Sequence, residues 1–202
     1  MSEVLIVRTG TANLASVAAA IERAGCAARL SDDPGELAAA ARLVLPGVGA
    51  FGPVAARLDE LGLREPLLRR IADGRPTLAV CLGLQLLATA SEESPGASGR
   101  GALPATVTRF AAGLRVPHLG WNRVAAGAGC RLVGDGEAYF ANSFKLDAVP
   151  EGWRGATAEH GAPFVAALER GAVLACQFHP ELSGAWGQRL VERWLAATAE
   201  AA

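Results

Sequence analysis

No apolar run in this chain approaches the roughly 20 consecutive residues that a membrane-spanning helix needs, although hydrophobic residues fill 51% of its 202 positions. The apolar content is spread through alanine- and leucine-rich stretches cut by arginine, proline and glycine, as in a water-soluble fold. A surplus of positive charge is also lacking. Nineteen Lys+Arg against 20 Asp+Glu leave a formal net charge of −1, which gives no electrostatic footing for nucleic acid or an anionic membrane surface. Small polar substrates stay open. Cysteine pairs are missing as well: Cys26, Cys81, Cys130 and Cys176 are far apart, with no C-x-x-C. This argues against a disulfide framework and a cysteine-based zinc site, and fits a reducing cytoplasm. The opening MSEVLIVRTG has neither a basic n-region, nor a long apolar core, nor a small-residue cleavage site. It reads as a first strand, with the mature protein expected to begin there.

What the chain does have, in its first half, is short aliphatic runs alternating with amphipathic alanine and leucine stretches. This is the pattern of parallel α/β folds. Strands are expected near Val4–Val7, Ala28–Leu30, Arg42–Leu45 and Leu78–Val80, and helices near Asn13–Ala24, Pro34–Ala40, Val54–Asp73 and Gly83–Ala90. From Thr106 the spacing changes to short strands separated by glycine and proline (ATVTRF, AYFANSF, PFVAALE, VLACQF), with a last helix near Gly184–Ala199. That half reads as mixed or antiparallel sheet. The only linker-like segment, Ser91–Pro104, reads as a surface loop, so residues 1–202 are expected to form one domain.

Three segments carry chemistry. In TLAVCLGLQLLA (Thr77–Ala88) a strand, a tight turn and a helix place Cys81 at an elbow, with the N–H of Leu82 free at the helix start. The helix terminus contributes about 0.3–2 kcal/mol to an anion, at most about 1.5 units of thiol pKa, and apolar burial opposes it. The elbow alone leaves both a nucleophile and an inert core thiol open. CQFHPELSG (Cys176–Gly184) supplies a base and its orienting acid. Pro180 ends the strand, His179 is released at that end, and Glu181 is two residues on, in reach of the imidazole if the segment is extended. By themselves these also fit a turn histidine and a solvated acid. LPGVGAFG (Leu45–Gly52) is a glycine loop after a parallel strand, where Val48 can present its N–H into a site or turn it away.

PGVGAFG, CLGLQLL and FHPE, in this order and spacing, resemble the class I glutamine amidotransferase family across nearly the whole chain. The resemblance implies a three-layer α/β/α flavodoxin-like open sheet, mostly parallel with antiparallel strands in the second half. It also implies Cys81 as nucleophile, His179 as general base and acid, Glu181 orienting it, Val48 and Leu82 as oxyanion donors, and L-glutamine contacts at Gly49, Gln85, Glu93 and Ser143. Gln85 is four residues past Cys81, on the same helical face. Neither metal nor cofactor is called for. VPHLGWNR, GTANLASV and YFANSF resemble the glutaminase subunits of imidazole glycerol phosphate synthases, in which the corresponding segments face a cyclase of (β/α)8-barrel type. Asn13, His118 and Trp121 are accordingly expected at a heterodimer interface, although His118 and Trp121 also read as a turn and an aromatic-anchored strand. Arg8, Asn142 and Leu182 depart from the family pattern, in the docking region and not in the triad. A glutaminase of an anthranilate or aminodeoxychorismate synthase, or a non-catalytic flavodoxin-like regulatory protein, remain the alternatives.

Overall fold

The computed structural model describes residues 2–10 and 13–199; Thr11 and Ala12 of the GTANLASV segment lie outside the described residues. The first half runs β1 (Glu3–Val7), α1 (Leu14–Arg23), β2 (Ala27–Ser31), α2 (Pro34–Ala39), β3 (Leu43–Leu45), α3 (Phe51–Glu60), α4 (Arg64–Ala72), β4 (Thr77–Val80), α5 (Leu82–Leu86) and β5 (Ala88–Ser91). Strands then dominate: β6 (Leu103–Arg109), β7 (His118–Ala126), β8 (Gly136–Asn142), β9 (Phe144–Lys145), β10 (Arg154–His160), β11 (Ala162–Arg170) and β12 (Val173–Cys176). A 3-10 turn at Pro180–Leu182 and α6 (Gly184–Ala197) follow.

Nine strands form one sheet in the order β2-β1-β3-β4-β12-β11-β10-β7-β8. The pairs from β2 to β12 are parallel, and those from β12 to β8 are antiparallel. The continuous apolar runs follow from burial on both faces. In β1, Val4 and Ile6 join a core with Val17 and Ile21 of α1 and Leu190, Val191 and Trp194 of α6. Leu5 and Val7 join the opposite core with Leu37 of α2, Val54 and Leu58 of α3, and Leu67 and Ile71 of α4. This is the three-layer α/β/α sandwich that the sequence pattern and the family resemblance imply.

Two expectations are corrected. The single helix at Val54–Asp73 is two, because Gly62 adopts φ +69 and the fully buried Leu63 turns into the core between α3 and α4. The helix expected at Gly83–Ala90 stops at Leu86 and becomes β5, since the carbonyls of Leu86, Leu87, Ala88 and Thr89 accept from the N–H groups of Arg100, Leu103, Gly101 and Gly99. Tertiary partners outweigh helix propensity there. Ser91–Pro104, expected as a surface loop, joins β5 to β6 and is held to the body by the buried Arg100 guanidinium on Asp59 at 2.6 Å. From the sequence β7 reads only as a short aromatic-anchored strand at its start, and β10 (RGATAEH), with few large apolar residues, is not expected as a strand.

At the amino ends of β3 and β4, a buried guanidinium joins three elements. Arg70, 2% exposed, donates to the carbonyls of Leu37, Ala40, Ala41 and Pro76 and to the Thr77 hydroxyl. Burial, with Arg75 nearby, lowers its pKa to about 10, so it remains a cation at neutral pH. Arg70→Met is expected to cost about 3 kcal/mol in urea unfolding by stranding these carbonyls, while Cys81, at the other end of β4, keeps its reactivity toward alkylation.

Candidate active site

The carboxyl ends of β3, β4 and β12 lie side by side in the sheet, and each releases one of the three segments. β3 leads into Pro46–Gly49, β4 into Cys81, and β12 into Gln177–Glu181. Such an edge is where open α/β sheets bind ligands. The cleft there has a volume of about 290 Å³ and is lined by Val48, Gly49, Cys81, Leu82, Gln85, Glu93, Ala141, Asn142, Ser143, Phe144 and His179. A larger cleft of about 730 Å³, among Arg131, Arg154, Glu169, Arg170 and Arg193, opens at the amino end of β12 and is lined by neither cysteine nor histidine.

Cys81 is the N-terminal flanking residue of α5, with φ +54 and ψ −109. Among the described residues it is the only non-glycine at positive φ, a conformation costing on the order of 1–3 kcal/mol. Close packing around it demands glycines: a Cβ on Gly83 would collide with the Leu45 carbonyl, and one on Gly47 would approach Leu82 Cβ to 2.8 Å. Cys176, one strand away, is an inert contrast. Complete burial, with Glu181 and Glu169 adding to it, pushes that thiol well above its usual range.

His179 donates from Nδ1 to Glu181 Oε1 at 2.8 Å, and both side chains are almost wholly buried. Glu181 reaches the ring from the 3-10 turn at Pro180–Leu182, not from the extended segment that the sequence suggested. Burial works against the imidazolium, but the Cys81 sulfur and the Glu181 carboxylate together overcome it and push the His179 pKa up to about 10. The side-chain types that a nucleophile, a base and an orienting acid require thus stand together.

The oxyanion side is occupied. Leu82 N–H, one of the two expected donors, is bonded to the Gly47 carbonyl at 3.3 Å. The Gly47–Val48 peptide is planar and trans, so with its carbonyl turned toward Leu82 its N–H, the second expected donor, points the other way. Of the expected glutamine contacts, Gly49, Gln85, Glu93 and Ser143 all line the cleft. Glu93 also accepts from Phe51 N–H at 2.7 Å, capping α3.

The residues expected at the interface lie outside the cleft lining. Asn13 caps α1, accepting from Ser16 N–H at 3.3 Å. Trp121 is 57% exposed and Leu119, on the same face of β7, is 63% exposed. His118 is buried on the inner face, stacked on His160 at 4.5 Å between rings and held against Phe140. Burial and His160 lower its pKa. Sequence reasoning gave no role to Gln177 or to the Phe144 carbonyl. Gln177 stands directly after β12 and two residues before His179, and that closeness in sequence was the available signal.

A family model for class-I glutamine amidotransferase matches residues 11–197. The chain is 42% identical over 195 residues to imidazole glycerol phosphate synthase subunit HisH of Streptococcus gordonii, covering 94% of each. It is 42% identical to the like-named subunit of Methanothermobacter thermautotrophicus, over 91% of this chain and 93% of that one. Against the chloroplastic imidazole glycerol phosphate synthase hisHF of Arabidopsis thaliana the identity is 38%, over 96% of this chain but only 34% of that longer protein. A crystal structure of a glutamine amidotransferase superposes with a TM-score of 0.77 at 23% identity, over 96% of this chain and 98% of that one, and shares the fold.

The His179 imidazolium is expected to persist far above neutrality, with its ring-proton NMR resonance titrating near pH 10. Glu181→Gln and Cys81→Ala should each move that midpoint down, since each removes a group that retains the proton. A midpoint at the ordinary 6.5 in the intact protein would contradict the ion-paired site.

Proposed function

The chain belongs to the class I glutamine amidotransferase family, and on that premise we propose that it is the glutaminase subunit of an imidazole glycerol phosphate synthase. It forms a single amidotransferase domain that hydrolyses L-glutamine to glutamate and ammonia. The ammonia passes to a cyclase partner of (β/α)8-barrel type, which forms imidazole glycerol phosphate and the carboxamide ribotide of histidine biosynthesis in a reducing cytoplasm. The observation that carries this reading is the meeting of Cys81 with an acid-buttressed histidine in one cleft, in a chain that matches such subunits over almost their whole length.

In this mechanism the Cys81 thiolate attacks the carboxamide carbon of glutamine and the carbonyl oxygen becomes an oxyanion. His179, already carrying a proton, gives it to the departing ammonia, and a thioester remains. The neutral imidazole then takes a proton from water as the water attacks the thioester, and glutamate leaves. Glu181 keeps the ring in the required tautomer throughout. Glu93 and Ser143 hold the amino-acid end of the substrate.

The oxyanion needs N–H donors, and here the Gly47 carbonyl covers the Leu82 N–H. One such donor is commonly worth about 10²–10³ in rate, so in this conformation the glutaminase is nearly idle. Rotation of the Gly47–Val48 peptide removes the carbonyl and delivers the Val48 N–H. The flanking residues suit it, since Gly47 has no Cβ and Gly49 sits at φ +104. Val48 is more than a third exposed, so a docking surface can reach it. The exposed Leu119, Trp121 and Leu182 offer the apolar contact, with Trp121 against Gly184, two residues beyond Leu182. Among the described residues no helix is long and apolar enough to cross a membrane.

Glutamate release by the isolated chain is expected to be slow and to rise by about 10² or more when the cyclase and its nucleotide ligand are added. Cys81→Ala should abolish it in both states. Release that survives Cys81→Ala would sink the nucleophile, and stimulation by an anthranilate-type synthase in place of the cyclase would sink the pathway. Trp121→Ala should weaken stimulation through the affinity for the cyclase, leaving the rate at saturating cyclase unchanged.

A further inference from the structure

We propose that Gln177 is a positioning residue that aims a buried N–H at the Cys81 sulfur and so favours the thiolate. The proposal rests on Cys81 being the nucleophile. Val80 and Cys176 are register partners on the parallel strands β4 and β12, and Cys81 N–H donates to the Cys176 carbonyl at 2.7 Å. The residue that follows β4 is Cys81 and the one that follows β12 is Gln177. Gln177 is fully buried and its backbone N–H is fixed on the Ala166 carbonyl at 2.8 Å. Its Nε2 lies 3.7 Å from Cys81 Sγ.

The direction of that amide is dictated by its neighbours. The Phe144 backbone carbonyl can only accept, so the group of Gln85 facing it at 3.0 Å is the donor nitrogen. The other hydrogen on that nitrogen goes to Gln177 Oε1, also at 3.0 Å. Flipping Gln177 would set two N–H₂ groups against each other. Its oxygen must face Gln85, and the sulfur consequently meets a donor. With no water in reach of a fully buried amide, a donor held on sulfur stabilises the thiolate over the thiol. Cys81 thus has a fixed donor in Gln177, from the end of the neighbouring strand, and its sulfur is one of the groups that raise the His179 pKa. The same chain specifies what Gln85 offers a substrate: both its amide hydrogens are committed to protein, so only its oxygen, an acceptor for N–H groups of glutamine, remains for the cleft.

The test is the pH dependence of Cys81 alkylation by iodoacetamide in the isolated chain, read by mass spectrometry, together with kcat and KM in the cyclase complex. Gln177→Met should raise the alkylation midpoint by about one pH unit and lower kcat by about tenfold, with KM changed less than about twofold. Gln177→Glu, which keeps the shape but puts a carboxylate beside the sulfur, should raise the midpoint further. Gln85→Met should raise the midpoint less and also raise KM. A folded Gln177→Met protein, judged by near-ultraviolet circular dichroism, with a wild-type alkylation profile would reduce Gln177 to packing and overturn the proposal. Should Gln177→Met not fold, Gln177→Glu decides it on the same readout. Failure of the underlying reading looks different: glutamate release would survive Cys81→Ala whatever the Gln177 variants did.

Discussion

One pairing governs the site: β4 and β12 lie next to each other, parallel and in register, with Val80 opposite Cys176. They are almost a hundred residues apart in sequence, and neither carries the chemistry alone. Parallel strands end at the same edge of a sheet, so the elbow after β4 and the histidine after β12 emerge together. β3, on the other side of β4, brings the glycine loop to the same edge. Because both faces of these strands are buried, a slip of one residue would exchange the two core faces of the sheet. The hydrophobic pattern that fixes the register thereby fixes which side chain faces the sulfur.

The strain at Cys81 has meaning against that background. A positive φ is costly for a residue with a side chain, and it persists because the surroundings admit no alternative. The Cys176 carbonyl holds the Cys81 N–H, and Leu45 and Gly83 are packed too tightly for a Cβ to intervene. The elbow turns the sulfur out of the strand toward the cleft, while Cys176, on a strand with ordinary geometry, stays sealed in the core. Two cysteines on neighbouring strands therefore meet different surroundings, one lining the cleft and the other sealed in the core.

Much of this was legible in the sequence for definite reasons. The alternation of apolar runs and amphipathic stretches announces parallel α/β layering, because burial on both sheet faces leaves few polar residues in a strand. Cys81, His179 and Gly47 stand out because an elbow, a strand end before proline and a glycine loop each need particular residue types. What was not legible depends on long-range partners. Residues 88–91 have helix-compatible composition yet form β5, since hydrogen bonds from residues 99–103 claim their segment. His118 reads as a surface residue of its motif, and only the pairing of β7 with β8 and the stack on His160 show it inside. The orientation of the Gly47–Val48 peptide is a single torsional choice that no residue type in the loop determines.

Two devices at the site remain separate. On one side runs a polar network: Asn142 and Gln85 both donate to the Phe144 carbonyl, Gln85 continues to Gln177, and Gln177 ends on Cys81. Asn142 is the cross-strand partner of His118, whose neighbours on β7, Leu119 and Trp121, face outward. Spatial continuity of this kind is not coupling, which requires an element with two arrangements. The network reaches the sulfur through Gln177. The element proposed to have two arrangements is the Gly47–Val48 peptide, which belongs to the β3 loop and is bonded to Leu82, not to the network. The proposed nucleophile and the proposed oxyanion hole thus belong to different parts of the fold. On this proposal the sulfur can be held in place while the oxyanion side stays covered, which is what an enzyme requires if ammonia is to be released only when there is a partner to receive it.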